Sequence, residues 1–425
     1  MKLTDKPPLI PRRSRGQVMV IFALFLTVLI SLIALSLDVG NILAERRAVQ
    51  NAVDAAAMAG GRLILLEETA DAEAQAKSYV DINGYDSDLA DVTFPNDYSI
   101  VVETTEEVRS FFLHAFYDGP WQVSARAVAE VQEEIVEVGL LALGENPGKC
   151  TGNPGNSTGI VFGGNSYLNI TSSVLSNGCI VFNGNATEGE IDGIVAAHSE
   201  VQEIPDDLHV DEDAILQSQP IVDDPFENEV PPDCNALPLR DPENYRDEDD
   251  PDHLILEPGR YEGTIQERRF SLNSGEYCFM GRLQVQPDGF IKSFNGFDAE
   301  GNPRYHRDLG EDSDGGVLMY FGPNARYAMA GTSYVAVKSP GTAGDIVAWF
   351  TNCSQDFSLE GNNDLWVIGA VYAPCSTVTL TGNSDSEIPV GAIVSRQIVI
   401  QGTPQLNLIS SIPIEIEPRR VYLVE

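Results

Sequence analysis

The sequence predicts an α+β N-terminal part, consisting of a single transmembrane helix that extends into an exported helix and a small sheet, followed by a mainly-β parallel β-helix (solenoid) domain. Three observations predict this: an uncharged apolar run at residues 17–37, alternating strand patterns up to about residue 135, and glycine-containing segments that recur every 20 or so residues after residue 140. The predicted segments are a basic cytoplasmic tail (1–16), the transmembrane helix (17–37), the α+β module (38–135), β-helix rungs (140–204), an acidic, proline-rich insertion (205–253), further rungs (254–412) and a C-terminal tail (413–425).

The apolar run is long enough to cross a membrane. Its 21 residues carry no charge, and at about 1.5 Å per helical residue they cover the roughly 30 Å of a bilayer's hydrocarbon core. A secretory signal has a shorter core and a small-x-small cleavage site, for which the sequence offers only Ala34-Leu35-Ser36, inside the helical pattern. The residues before the run include one acidic residue, Asp5, and five basic residues: Lys2, Lys6, Arg12, Arg13 and Arg15. The positive-inside rule therefore predicts a single-pass protein of the cytoplasmic (inner) membrane, with its N-terminus inside and the bulk of the chain exported.

Charge and cysteine content are consistent with an exported body. The net charge is −38, and removing the +4 of residues 1–16 (five basic, one acidic) leaves −42 on the remainder. Such a body repels nucleic acid, so we expect no nucleic-acid partner. All six cysteines lie on the exported side without a C-x-x-C pair, which allows up to three disulfides.

The segment after the apolar run is predicted to continue as a helix, because Ile42, Val49 and Val53 recur at helical spacing. Arg46, Gln50 and Asp54 form a polar seam at four-residue steps. The small residues of "AAAMAGG" allow a second helix to approach closely or simply favour helix, and both interpretations stay open. A second helix is predicted at about 71–80, ending at Asn83-Gly84, with strands in "YSIVVETTE" and "WQVSARAVAEVQ".

Residues 12–132 resemble the N-terminal module of TadG-like proteins of the tight-adherence (Tad, or Flp) pilus-assembly systems. The resemblance rests on the apolar span, the alanine run, Asn83-Gly84, "VRSFFLHAFYDGPWQVSARAVAEV" and a set of single positions: Gly16, Asp38, Gly40, Arg46, Arg47, Gln50 and Asp54. It implies a cell-envelope protein whose partners are the membrane and other pilus-assembly proteins. Type IV pilins and TadE-type pseudopilins usually carry a glutamate five residues after the processed glycine, whereas a cut after Gly16 places Ile21 there. This difference argues against a polymerising pilin and favours a permanent anchor.

Internal repeats predict the second domain. "GIVFGGN" at 159–165 returns as "CIVFNGN" at 179–185, Gly361, Gly382 and Gly402 align at steps of 21 and 20, and "LEPGRY" and "LNSGEY" are offset by 16. Short β-branched strands with a period near 20 favour a parallel β-helix, although a sandwich of antiparallel strands also has short strands and turns. Parts of residues 140–410, such as "IGAVYAPCSTVTLTGNS", resemble the β-helix portion found downstream of some TadG-like modules.

Adjacent rungs about 4.8 Å apart match the Cα separation of a disulfide, and Cys353 and Cys375 bracket one period. Cys353–Cys375 is therefore the preferred bridge, Cys150–Cys179 comes second and Cys234–Cys278 follows by elimination. The same register predicts that Phe162 and Phe182 stack inside the coil.

The sequence contains few motifs that indicate a catalytic or ligand-binding site. The five histidines are scattered, and no phosphate loop, nucleophile elbow or H-E-x-x-H is present. "DSDGG" (312–316) and "DEDDPD" (247–252) could offer oxygen ligands to Ca²⁺, but neither completes an EF-hand loop, and a solvated acidic turn is the simpler interpretation. We expect no catalytic residues, no cofactor and no metal. The predicted function is a non-enzymatic, membrane-anchored component of Tad/Flp pilus assembly or anchoring. The alternative is a surface adhesin or glycan-binding β-helix on the same anchor, and an enzyme ranks third.

Overall fold

The computed structural model describes residues 17–424 except for 67, 113, 115–118, 120, 134, 145–149, 151–158, 184–187, 203, 298–302, 307–313, 330–331, 342–344, 362–364, 383–389, 404, 409–413 and 417–418. The chain divides into two compact units, Met1–Gln132 with Arg420–Glu425, and Glu133–Arg419. In the sequence, the second unit thus lies between the two parts of the first.

The first unit begins with one long helix, as predicted, because no proline or glycine cap interrupts the passage from the apolar run to the alanine run. A second helix packs on it and ends at Asn83, followed by Gly84 at φ +89°, a left-handed conformation that glycine tolerates. Strand β1 was not foreseen. The elements are α1 Gln17–Leu65, α2 Thr69–Ile82, β1 Asp91–Asn96, β2 Ser99–Val108 and β3 Trp121–Glu133, with a 3-10 turn at Ser87–Leu89.

The regular structure described for the second unit consists of two short 3-10 helices, Glu212–Ala214 and Pro242–Tyr245, and of strands. In chain order they are β4 Val136–Ala142, β5 Gly159–Gly163, β6 Tyr167–Ile170, β7 Ser173–Ser176, β8 Cys179–Asn183, β9 Glu188–Ile191, β10 Val195–Ala197, β11 Leu208–Val210, β12 Ile215–Leu216, β13 Leu239–Arg240, β14 His253–Leu256, β15 Gly259–Tyr261, β16 Thr264–Asn273, β17 Gly275–Phe279, β18 Arg282–Phe297, β19 Pro303–Tyr305, β20 Val317–Phe321, β21 Arg326–Met329, β22 Tyr334–Lys338, β23 Ile346–Phe350, β24 Phe357–Gly361, β25 Leu365–Gly382, β26 Val390–Gly402, β27 Gln405–Leu408 and β28 Ile414–Ile416. A last strand, β29 Arg419–Leu423, joins the first unit's sheet in the order β1-β2-β3-β29.

Most pairings in the second unit are parallel, and the longest ladder has the order β13-β15-β17-β20-β23-β25-β26-β4-β7-β10-β12. A second set runs β24-β25-β26-β5-β8, and a third β14-β16-β18-β22-β25. A separate sheet has the order β11-β9-β6-β27. The sheets that the described strands form are open. Parallel ladders fit the prediction of a mainly-β second domain, while the β-helix itself stays a prediction.

The repeat registers follow the sequence. Ile160 pairs with Ile180 and Phe162 with Phe182, at the predicted shift of 20. The aligned glycines at 361, 382 and 402 are partners in successive strands. The offset of 16 holds for Leu256 with Leu272 but is wrong for the next strand, where Gly259 pairs with Tyr277 at an offset of 18. The connection between the paired positions is two residues longer in the later repeat.

The acidic, proline-rich segment predicted at 205–253 contains short strands as well as a long connection. Its first part forms β11 and β12, which continue two ladders. Residues 217–238, here called the strap, then connect β12 to β13, the two opposite ends of the longest ladder. The strap is held on the way by the side chain of Asn177, which exchanges two 2.8 Å hydrogen bonds with the backbone of Val222, and by the Cys234–Cys278 disulfide.

Between these two points the strap covers an apolar face. The hydroxyl of Tyr372 donates to Asp224 at 2.6 Å, and the ring of Phe226 packs against Tyr372 with centroids 5.1 Å apart. Phe226 lies in a buried cluster with Leu318, Trp349 and other side chains of the longest ladder. The strap therefore shields one apolar face, whereas a second and larger cluster, which includes Phe162 of β5, contains side chains from all three sets of strands.

The C-terminal segment is also more than the predicted tail at 413–425. Strand β28 pairs with β4 antiparallel, and β29 becomes the fourth strand of the first unit's sheet. The backbone N–H of Val424 donates to Val128 at 3.0 Å, and Val421 packs beside Gly61 of α1. Sequence patterning did not foresee this return, because a single five-residue strand at a chain end carries no information about which unit it joins.

Candidate functional site in the helix-anchored module

The apolar part of α1 makes no contact that would bury it within the protein. Side chains 18–37 are exposed, apart from half-buried Ala34. Within the described part of the chain, α1 is the one helix that is long and apolar enough to cross a membrane. An exposed run of this length, near the N-terminus, is the pattern of a single-pass membrane anchor.

At Asp38 the helix changes from exposed to docked. The side chain is fully buried, and its two carboxylate oxygens accept the backbone N–H groups of Phe111 at 2.6 Å and Phe112 at 2.9 Å. Three residues further on, the amide of Asn41 donates to the carbonyl of Arg109 at 3.2 Å. Bonds from N–H groups to a carboxylate are short and strong, so Asp38 fastens the segment 109–112 to the helix.

The predicted polar seam forms only in part. Gln50 donates to the carboxylate of Asp54 at 2.8 Å and to the carbonyl of Arg126 in β3, also at 2.8 Å. Arg46 and Arg47 are exposed instead, and Gly40 has open space around its Cα. Gly16 lies outside the described residues. These five positions of the motif therefore differ in role, since Asp38, Gln50 and Asp54 hold the module together while Arg46 and Arg47 face outward.

The small residues of the alanine run serve helix packing. A Cβ at Gly60 would come within 2.4 Å of Ile100 in β2, 3.2 Å of the Ala72 carbonyl and 3.3 Å of Ala76 in α2. Of the two interpretations left open by the sequence, close approach of a second helix is the one that the structure contains. That helix is α2 of the same chain.

A cluster of acidic groups beside α1 was missed at the sequence level, because its members are far apart in the chain. The hydroxyl of Tyr85 donates to Glu45 at 3.1 Å. Burial, followed by the bond to Glu45, raises the pKa of Tyr85 to about 12. Burial, with the nearby charges of Asp86 and Glu45, also raises the pKa of Glu106. Both shifts favour the protonated forms of Tyr85 and Glu106 beside the helix.

Comparison with known proteins gives one match, and it falls on this helix. Residues 16–63 match the family model "Putative Flp pilus-assembly TadE/G-like". No curated protein and no solved structure matches the chain. The match supports a Tad module in the N-terminal part and a role in pilus assembly. The resemblances seen in the sequence beyond residue 63 stay predictions.

The second unit contains a cavity of about 550 Å³, which we call the His253 pocket. It lies on strands β14, β16, β18 and β19 and is lined by Asp247, Asp249, Asp250, His253, Ile255, Arg269, Ser271, Phe290, Phe294 and Tyr305. Arg269 forms an ion pair with Asp250. Beside the pocket, the ammonium of Lys292 lies 4.4 Å from the centroid of the Tyr305 ring. Carboxylates, a cation and aromatic rings thus converge in one concave site.

The floor of the pocket has a serine, histidine and aspartate in contact. The Nε2 atom of His253 lies 2.7 Å from the Ser271 hydroxyl, and its Nδ1 atom lies 3.3 Å from the Asp247 carboxylate. Ser271 is, however, 0% exposed, so its hydroxyl is not accessible to a substrate in this structure. Burial lowers the pKa of His253, against the opposing effect of Asp247. The arrangement can position the pocket wall, but it does not present a nucleophile.

No group of three or more His, Cys, Asp or Glu side chains suited to a metal occurs in the described ranges. Part of "DSDGG" lies outside them. The three disulfides join the pairs preferred from sequence, Cys353–Cys375, Cys150–Cys179 and Cys234–Cys278, with Cα separations of 4.9, 5.6 and 5.7 Å.

Proposed function

We propose that this chain is a non-enzymatic, membrane-anchored component of Tad/Flp pilus assembly or anchoring. The observation that carries the proposal is the match of residues 16–63 to a TadE/G-like pilus-assembly model, over the same helix that is exposed up to Leu37 and docked from Asp38 onward. The N-terminus is cytoplasmic and the remainder is exported across the inner membrane. This orientation rests on the basic residues before the apolar run.

In this proposal the second unit is a parallel β-helix that acts as a rigid spacer or docking surface for other assembly proteins. Support comes from the eleven parallel strands of the longest ladder, which at about 4.8 Å each extend over roughly 48 Å. Further support comes from the covering strap and from two disulfides, Cys234–Cys278 and Cys353–Cys375, which hold strands of that ladder and stabilise it against unfolding.

Two fractionation experiments test the anchor. Protease added to intact spheroplasts should remove the second unit and leave a short, protected N-terminal fragment. A soluble form that begins near Leu37 would contradict the anchor and support a cleaved signal. Because Ile21 replaces the glutamate of a polymerising pilin, the protein should also stay with membranes, and recovery as the major subunit of sheared filaments would overturn the assignment.

A deletion strain tests the function itself. Loss of the gene should abolish or strongly reduce pili while leaving the pilin subunit present in the membrane. Normal pili together with reduced attachment to surfaces would instead support the second candidate, a surface adhesin that binds glycans.

The second candidate is favoured by the His253 pocket, because aromatic faces beside carboxylates are a common means of holding sugar rings. Its test is binding of the purified chain to a panel of immobilised glycans. Tyr305→Ala, in the pocket wall, should then abolish binding, whereas Tyr334→Ala, outside the lining, should leave it intact. Equal binding by both variants would remove the pocket from the argument.

A further inference from the structure

The position of Asp38 relates the first unit to the membrane plane. Asp38 follows directly after Leu37, the last residue of the 21-residue uncharged run. Since that run spans about the thickness of the hydrocarbon core, Asp38 lies at the boundary where α1 leaves the membrane.

The segment 109–112 is held at the same level. Both oxygens of the Asp38 carboxylate accept backbone N–H groups from this segment, and Asn41 binds the carbonyl of Arg109. Hydrogen bonds to a carboxylate are strong, and their strength rises where water is scarce.

The two residues whose N–H groups bind Asp38 carry aromatic side chains that the protein leaves uncovered. Phe111 is 70% exposed and Phe112 is 47% exposed. Two adjacent exposed phenylalanines are costly in water, at about 25 cal/mol for each Å² of apolar surface. At the depth set by Asp38, both rings lie beside the point where α1 enters the bilayer.

We propose that Phe111 and Phe112 insert into the membrane at its boundary and form a second membrane contact beside α1. The occupant of this apolar surface is the lipid bilayer, and the argument for it is continuity with the apolar run through Asp38. A single helix can rotate about its axis and tilt in a bilayer, whereas two contacts restrict both motions. The Asp38 bonds would thereby set the orientation of the exported part of the first unit relative to the membrane.

The test uses the full chain, purified and placed in nanodiscs of phosphatidylethanolamine and phosphatidylglycerol. Because all six native cysteines are paired, a nitroxide label can be attached to one new cysteine in the variants Phe111→Cys and Phe112→Cys. Depth is measured by electron paramagnetic resonance, as relaxation by lipid-soluble oxygen compared with a water-soluble nickel chelate.

The matched control is Tyr98→Cys. Tyr98 is an aromatic residue of the same unit, 53% exposed, next to β2, whose Ile100 packs at Gly60. Gly60 lies 22 helical residues beyond Asp38, or about 33 Å along α1.

Labels at positions 111 and 112 should be relaxed mainly by oxygen, and the label at 98 mainly by nickel. In an Asp38→Ala background, the labels at 111 and 112 should shift toward nickel while the protein remains in the nanodisc. Nickel-dominated relaxation at 111 and 112 in the otherwise unchanged chain would overturn the proposal. Protection that appears only in native membranes would likewise overturn it, because it would assign the surface to a partner protein.

Discussion

Asp38 is the residue at which α1 passes from exposed to docked. Its carboxylate is buried yet fully hydrogen-bonded, which removes the large cost of burying an unpaired charge. The sequence identified Asp38 as part of a family motif, but its role depends on Phe111 and Phe112, more than 70 residues away in the chain. Asp38 therefore binds backbone groups that are distant in the sequence, and no local pattern reveals this contact.

A substitution at Phe162 tests the packing of the parallel strands. It is fully buried and stacks on Phe182, with ring centroids 4.9 Å apart and an angle of 7° between the rings. Phe162→Asp should lower the free energy of unfolding by about 3–5 kcal/mol, because it buries a charge without a partner. The measurement is denaturant unfolding of the detergent-solubilised chain. Tyr167→Asp, at an exposed position of β6, is the control and should change stability little; an equal loss in both variants would contradict the assigned register.

Two buried histidines predict how stability depends on pH. Burial lowers the pKa of both His253 and His306 below the ordinary value of 6.5. Below pH 6.5 the unfolded chain binds protons that the folded chain resists, so the free energy of unfolding should fall as the pH drops from 7 toward 5. The double variant His253→Gln/His306→Gln should reduce this slope, and exposed His209→Gln should not. An unchanged slope in the double variant would place the pH dependence elsewhere.

At the scale of elements, β29 shows that a strand can belong to a unit whose other elements lie far away in the sequence. It adds to the edge of the first unit's sheet, next to β3, and Val421 enters the core cluster that holds α1, α2 and the sheet together. The strand shields apolar surface of the sheet and of α1 that the first 132 residues would otherwise leave in water. The sheet of the first unit has its fourth strand only when residues 419–423 are present.

The variant Val421→Asp tests this completion. A charge in the cluster should destabilise the first unit by about 2–4 kcal/mol, as expected for an unpaired buried charge at a partly buried position. The neighbouring Tyr422→Asp, whose side chain is exposed, is the control. Limited proteolysis should cut within residues 66–132 faster in Val421→Asp than in the control. Equal protection of the two variants would show that β29 contributes little to the unit.

At the scale of the whole molecule, the order of strands in space differs from their order in sequence. The chain enters the longest ladder in the middle, at β4, and runs through β7 and β10 to one end at β12. The strap then carries it to the opposite end at β13, from which the chain returns through β26 to meet β4. The strap therefore joins the two ends of the ladder, and the later strands return to pair with β4 in its middle.

The hydrogen bond from Tyr372 to Asp224 joins the strap to the ladder across 148 residues of sequence. Burial, followed by the Asp224 bond, raises the pKa of Tyr372, so its hydroxyl stays a donor throughout the neutral range. Tyr372→Phe should cost about 1.5–3 kcal/mol in unfolding free energy, the range for bonds to charged groups. Tyr320→Phe is the control, since the described residues offer its hydroxyl no hydrogen bond. Hydrogen exchange of the strap should speed up only in Tyr372→Phe, and exchange that is equal in both would contradict the role given to this bond.

The sequence by itself determined the features that depend on local composition and period. The 21-residue apolar run, the helix that follows it, the stop at Asn83-Gly84 and the 20-residue registers of Phe162 and Gly402 are all readable from the chain, because helix length, capping and strand repeats involve residues close in sequence or identical in type. The preferred disulfide, Cys353–Cys375, followed from the same period, whereas Cys234–Cys278 followed by elimination.

Tertiary structure alone decided the contacts between residues that share no pattern. The Asp38 carboxylate with its two N–H donors, the His253 pocket, the route of the strap and the place of β29 each bring together segments separated by tens to hundreds of residues. These contacts form because they bury apolar surface and satisfy polar groups over the whole fold. A period along the sequence carries no information about contacts between distant segments. The sequence therefore predicted the elements and their repeats, but not where the chain returns to pack against earlier elements.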